Sequence, residues 1–443
     1  VQEVSKSLIE IITRDDLAAR ELALRRIASR NVTLDADVLE RTSKIIEDVR
    51  RRGDAALIDY ALQFDHVTLD AAELRVDEET LRRTAALVDA SVLAALRESI
   101  RKVRAFHEFE RQSSWEVEME RGVRLGQRIT PVGRAGLYVP GGTASYPSSV
   151  VMNVVPAQVA GVRRIIVTTP PRSLHENPAV SAALVELGVT EVYAVGGAQA
   201  IAALAFGTET VPRVDVITGP GNKYVAAAKK LVYGAVGIDS VAGPTEVVII
   251  ADKTARSDFI AADLLAQAEH GEDASAVLLT TSDQLARATA FELARQASDL
   301  PRRSIVERSL AQYGAIIVVE NVKAACEIVN VMAPEHLEIM AREEEEIING
   351  VRNVGAIFCG AHAPEAVGDY IAGPNHVLPT GGAARFSSAL SVQNFLKRTS
   401  MIKYTSNELE RTAPLIAALA GAEGLDAHAR SAMIRLQRSK EDG

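Results

Sequence analysis

After Gly136 the chain alternates short apolar runs with Ala-rich helical stretches, and this alternation leaves few architectures open. The runs 135–139, 164–168, 190–195 and 214–218 have strand length, and helical stretches such as Gln199 to Phe206 and Tyr224 to Val232 separate them. A second series follows, with strands expected near 246–251, 276–281, 315–319 and 355–359 and helices such as Asp258 to Glu269 between them. Parallel strands cannot be joined by a tight turn, so strand–helix–strand repetition predicts parallel sheets covered by crossover helices. Two such series predict two Rossmann-like halves.

The flanks read differently. Leu39, Ile45, Ile46 and Val49 share one helical face, and Leu93, Leu96, Ile100 and Val103 share another, so the first hundred residues are expected to be mostly helix. Val123, Leu125, Gln127 and Ile129 alternate as in strands, whereas the chain beyond Phe386 reads as helical and polar, with Asn407 to Glu410 and Leu415 to Ala420 as helix parts. The acidic run Glu343 to Glu346 reads as a solvated helix face. The expected fold class is α/β: two incomplete Rossmann-like domains with parallel sheets plus short helical arms. Residues 1–29 form the N-terminal arm, 30–137 with 245–389 one domain, 138–244 the other, and 390–443 the C-terminal arm. A tail from Arg385 to Gly443 is too short to bury its own core. Its Ile402, Leu415, Ile416 and Leu419 need a partner surface, which predicts arms exchanged in an intertwined dimer.

The 443 residues include 49 basic and 58 acidic ones, a net charge of -9 without a dense Lys/Arg block, which argues against a nucleic-acid partner. Cys326 and Cys359 are the only cysteines, too few for a disulfide framework or a thiolate metal cage. The uncharged run Ala135 to Val162 is long enough to span a bilayer, but its prolines, glycines and Asn153 would break the helix and strand polar groups in lipid. The N-terminal stretch lacks the basic start and continuous apolar core of a signal peptide, so the cytoplasm is the expected compartment; a cleaved transit peptide is compatible with a chain beginning at Val1.

Chemistry concentrates in turns and histidines. Gly219-Pro220-Gly221-Asn222 follows an apolar run and precedes a helix, a place where backbone N–H groups can hold phosphate or an amide; it reads equally as a tight strand-to-helix turn. Tyr138-Val139-Pro140-Gly141-Gly142-Thr143 is a second strand-end turn, with a tyrosine that could stack on a ring. Gln267 and His270 stand at i and i+3 on one helix, and Asp369 adds a carboxylate, so an oxygen/nitrogen metal site and a helix end with exposed polar residues both fit. Glu335 and His336, read as adjacent residues near a helix start, diverge too far to share one ion and suggest two separate acid/base roles. His66, His107, His175 and His362 carry no assigned role.

Taken together, VPGGTASYPSS (139–149), VGGAQAIAALAFGTE (195–209), GPGN (219–222), AGPTEV (242–247), QAEHG (267–271), APEHLE (333–338), VGDYIAGPNHVLPT (367–380) and EGLDAH (423–428) resemble histidinol dehydrogenase in order and spacing over nearly the whole chain. The resemblance implies a zinc-dependent homodimer that oxidises L-histidinol to L-histidine through L-histidinal with two NAD+ in succession. It implies zinc ligands at Gln267, His270, Asp369 and His428, with the metal-bound substrate also met by Thr245, His336, His376 and Glu423. It implies NAD contacts at Tyr138, Gln199 and Asn222. Thr245 stands where many relatives have Ser, and the hydroxyl is kept.

Within that resemblance, His336 takes the alcohol proton and Glu335 activates the water that attacks the aldehyde. A dehydrogenase of another polyol or amino alcohol on the same fold is the alternative, for which His376 and Glu423 would have little use. A zinc hydrolase is disfavoured by the two strand-end turns, and a silent binding protein by the presence of both Glu335 and His336.

Overall fold

A computed structural model describes residues 8–30, 35–141 and 146–438; Gly142 and Thr143 of the second turn, and residues 1–7 of the N-terminal arm, lie outside the described residues. The chain forms two units. One comprises the chain through Glu110 together with Val132–Phe395, the other Arg111–Pro131 together with the chain from Leu396.

The first unit holds two six-stranded sheets. In one, the strands lie in the order Ile11–Ile12, Ala315–Val318, Ser275–Thr280, Glu246–Ala251, His336–Met340, Ala356–Cys359, and every pair is parallel. In the other the order is Arg75–Val76, Glu191–Ala194, Arg164–Thr169, Arg134–Tyr138, Val216–Thr218, Gly237–Ile238, with one antiparallel pair at the Arg75–Val76 edge. Apart from its two-residue edge strand contributed from elsewhere in the chain, each sheet starts at its middle and winds outward first one way and then the other, as in doubly wound folds. The two predicted series are these two sheets. Residues on both sides of position 137/138 share one of them, since Arg134–Tyr138 pairs with Arg164–Thr169.

Side-chain alternation explains why the strands read as continuous apolar runs. Val247, Ile249 and Ala251 enter one core with Leu278 and Ile316, whereas Val248 and Ile250 enter the other with Val277, Leu279 and Ile317. Both faces are covered, so both parities are apolar. The helix Gly197–Phe206 is buried on all sides from Ala198 to Ala205, which explains its Ala-rich, non-amphipathic sequence.

Two segments differ from expectation. His336–Met340 is a five-residue strand inside the first sheet and not a helix start. Its Leu337 and Ile339 point into the core, while His336 and Glu338 occupy the alternate positions, and the two polar residues hide the period of two. Leu396–Tyr404, expected to be helical, is a nine-residue strand in the second unit, antiparallel to Val123–Pro131, which also pairs with Trp115–Glu120. Most of its residues are exposed, so no apolar stripe marks it. The helices Ser406–Ala422 and Asp426–Arg438 follow and pack on each other. No helix among the described residues is long and apolar enough to cross a membrane.

Candidate active site

A cleft of about 840 Å³ opens in the first unit. One wall carries the loops after Arg134–Tyr138 and Val216–Thr218, at the carboxyl ends of their strands: Pro140, Gly141, Pro220, Gly221 and Asn222. The other carries Thr245, His270, Glu335, His336, Glu365, Asp369 and His376. Thr245 immediately precedes Glu246–Ala251 and His336 begins His336–Met340, so this wall stands at the amino ends of its strands, opposite to the doubly wound habit.

The polar side chains on that wall are linked. Thr245 Oγ1 lies 2.5 Å from Glu335 Oε2, and the Glu246 N–H donates to the same carboxyl oxygen at 3.2 Å. Gln267 is buried; oriented as its neighbours require, its amide nitrogen donates to the two Glu365 oxygens at 2.9 and 3.2 Å and its oxygen accepts from Thr245 Oγ1 at 2.9 Å. A hydroxyl has one proton, so if Thr245 donates to Gln267 it accepts from Glu335, which must then be a carboxylic acid. Burial satisfies that condition, since desolvation pushes the Glu335 carboxyl up to about 8. Desolvation acts oppositely on His336, which is lowered to about 4 and is therefore neutral near pH 7. Its Nδ1 sits 3.2 Å from the Glu246 carbonyl and donates there, which leaves Nε2 as the lone-pair nitrogen. Glu335 and Glu365 each approach within 3.7 Å of His336 Nδ1.

Glu365 and Asp369 stand one turn apart on the helix Glu365–Tyr370, and their oxygens lie with a His270 nitrogen all within 4.8 Å of one another. His270, exposed, follows the helix Ser257–Ala268 that carries Gln267. These donors could hold a cation. Glu365 is held well above its usual range by burial among Asp369, Glu335 and Glu338, a crowding of acids that a bound cation would relieve. His376 Nδ1 faces the Asp369 carbonyl at 3.0 Å, leaving its Nε2 free.

Of the residues expected at the site, Thr245, His270, Glu335, His336, Asp369 and His376 line the cleft, and Gln267 lies behind them. Asn222 lines the facing wall and also caps the helix Lys223–Val232, its Oδ1 accepting from the Tyr224 and Val225 N–H groups at 3.0 and 3.2 Å. Tyr138 and Gln199 are both 3% exposed, and the Tyr138 hydroxyl accepts the Gly197 N–H at 3.1 Å. Glu423 and His428 belong to the second unit, exposed at the end of Ser406–Ala422 and in Asp426–Arg438. Three residues escaped the sequence reading. Glu365 carried a signal, the i,i+4 carboxylate spacing to Asp369. Arg30 and Glu246 form a buried pair at 2.8 Å, and Arg30 also donates to the Thr245 and Asp273 carbonyls at 3.2 and 2.6 Å.

A family model described as histidinol dehydrogenase matches residues 28–436. The histidinol dehydrogenase of Geobacillus kaustophilus is 54% identical over 397 residues, 89% of this chain and 93% of that protein. That of Synechococcus is 51% identical over 425 residues, 95% of this chain and 98% of its own. The crystal structure of histidinol dehydrogenase from Elizabethkingia anophelis superposes with a TM-score of 0.92 at 34% identity, covering 98% of this chain and 100% of that one. The chain belongs to the histidinol dehydrogenase family.

Proposed function

We propose that the chain oxidises L-histidinol to L-histidine through L-histidinal, the closing steps of histidine biosynthesis, with two NAD+ reduced in succession and one zinc ion per subunit. Gln267, His270 and Asp369 would hold the zinc with His428 of the partner subunit. The clustered nitrogen and oxygen donors of His270, Glu365 and Asp369 support a borderline divalent cation. The ion would supply a Lewis-acid anchor for the imidazole and amine of the substrate, and Tyr138, Gln199 and Asn222 would hold NAD, which would supply the hydride acceptor.

The chain's own groups do the rest. His336, neutral and with Nδ1 committed to the Glu246 carbonyl, takes the alcohol proton on Nε2 as the carbinol carbon is oxidised. Glu335, once ionised, takes a proton from the water that adds to the aldehyde, and His336 removes the hydroxyl proton of the resulting hydrate as it is oxidised to the acid. Thr245 holds the Glu335 carboxyl in place, and Arg30 holds the Thr245 backbone. His376 and Glu423 of the partner subunit recognise the imidazole. In this reading residues 30–137 with 245–389 carry the metal and catalytic groups, 138–244 the cofactor contacts, and the arm 390–443 is exchanged in a homodimer. Two free thiols, Cys326 and Cys359, suit a cytoplasmic setting.

The observation that carries the reading is the linkage, through Thr245 and Gln267, of the Glu335 carboxyl to Glu365 of a metal-type donor cluster, with the neutral His336 imidazole 3.7 Å from both carboxyls in the same cleft. Supplying histidinol and histidinal separately tests it. Glu335→Gln should slow aldehyde oxidation by about 10²-fold or more while touching alcohol oxidation less, and His336→Asn should slow both. Equal impairment of both steps by Glu335→Gln would refute the division of roles.

A further inference from the structure

The helix Lys223–Val232 contains a lysine, Lys229, whose side chain is 2% exposed, on a chain that otherwise keeps its lysines at the surface of this helix, as at Lys230. Lys229 Nζ pairs with Asp239, itself 4% exposed, and donates to the Gly219 carbonyl at 3.0 Å. Asp239 accepts the Gly219 N–H at 2.8 Å through its other oxygen, and the Ser240 N–H at 2.7 Å. The result is a closed ring in which one buried ion pair grips both polar groups of a single residue.

That residue is the first of the cleft loop 219–222. Gly219 has φ +115°, and a Cβ there would lie 2.1 Å from the Tyr138 carbonyl, so its peptide can sit in this place only as glycine and only if something fixes its orientation. It follows the last residue of the strand Val216–Thr218, where the ladder no longer satisfies its N–H and C=O. A buried ion pair is a weak source of net stability, because desolvating two charges offsets most of their attraction. What the pair does supply is direction: a charged donor and a charged acceptor, both stronger than neutral partners, aimed at one peptide.

We propose that Lys229 and Asp239 are positioning residues for the cofactor: they hold Gly219 so that Pro220, Gly221 and Asn222 present a fixed wall to NAD. The inference rests on the reading that this loop meets NAD. The decisive variant is the double change Lys229→Met with Asp239→Asn, which removes both charges and leaves neither ion unpaired. In the zinc-loaded enzyme it should raise the KM for NAD+ by tenfold or more and change the KM for histidinol less than twofold. Lys229→Gln combined with the same Asp239→Asn change, which keeps an N–H donor for the Gly219 carbonyl, should recover much of the NAD+ affinity. A double variant with unaltered KM for NAD+ overturns the proposal. Asn222→Asp, which keeps the helix cap and loses the amide donor, separates the two levels of failure. If it raises the NAD+ KM while the double variant does not, the clamp alone is wrong; if neither does, the loop is not the cofactor wall and both readings fall. Should the double variant not fold, hydrogen exchange on the unaltered enzyme decides. The Gly219 amide should exchange as slowly as the core of its sheet with or without NAD+, and exchange as fast as exposed loop amides contradicts the clamp.

Discussion

Glu335 is neutral where an ordinary glutamate is ionised, and this has a consequence for stability that is separate from catalysis. Its carboxyl rises from 4.5 to about 8 on folding, chiefly by desolvation. The neutral form favours the fold, so the contribution is complete below pH 4.5 and is lost progressively as pH rises through about 8, at about 1.4 kcal/mol per unit of pH across that window. His336 has the opposite sign: lowered from 6.5 to about 4, it contributes fully above pH 6.5 and its contribution is lost as pH falls through 4. In metal-free protein Glu335→Gln should therefore melt with the unaltered chain at pH 5 and a few degrees above it at pH 8.5. Thermal melts at the two values check this, and equal melting temperatures at pH 8.5 would mean that Glu335 is ionised in the fold. Such a trade of stability for a poised base is common at active sites.

The short helix Glu365–Tyr370 does more than its length suggests. Glu338, on the strand His336–Met340, accepts the Glu365 N–H at 2.9 Å and fixes the helix start. Glu365 then receives the Gln267 amide, and Asp369 faces His270 one turn on. Glu365→Gln should weaken zinc binding by about 10- to 100-fold, the range typical of groups that orient metal ligands. Competition with a chelator of known affinity measures this, and unchanged affinity would remove Glu365 from the metal centre. At this scale the sequence was readable where burial is simple. Strands such as Glu246–Ala251, covered on both faces, stood out as apolar runs, and helices such as Gly197–Phe206 stood out by composition. It was unreadable where a strand gives one face to chemistry: His336 and Glu338 interrupt the apolar pattern, so His336–Met340 looked like a helix start. Thr245, His270, Glu335, His336, Asp369 and His376, which line one wall of the cleft, were singled out in the sequence, whereas Glu365, Arg30 and Glu246 were not, because a charged residue that is buried by its partners reads in sequence like any exposed one.

For the whole molecule, the proposal to be tested is that a second copy of the chain completes the centre. Ile402, Leu415 and Leu419 are 72%, 60% and 70% exposed in the second unit, in keeping with a tail that needs a partner surface. No periodicity within one chain can record what covers these side chains. If the arm is exchanged, mixing His270→Ala and His428→Ala subunits assembles heterodimers in which one of the two centres is intact. The isolated heterodimer should then hold half of the normal zinc and activity, and a one-to-one mixture about a quarter; heterodimers without recovery would assign all ligands to one chain, and a His428→Ala homodimer that keeps zinc and activity would remove His428 from the set.

Stoichiometry tests the central claim most directly. In the zinc-loaded enzyme with NAD+ in excess, each histidinol consumed should yield two NADH and one histidine, while a simple aliphatic diol is turned over far more slowly, by roughly 10⁴-fold where a pocket built for hydrogen-bonding groups finds none. One NADH per histidinol with the aldehyde accumulating, or comparable turnover of the diol, would contradict the account.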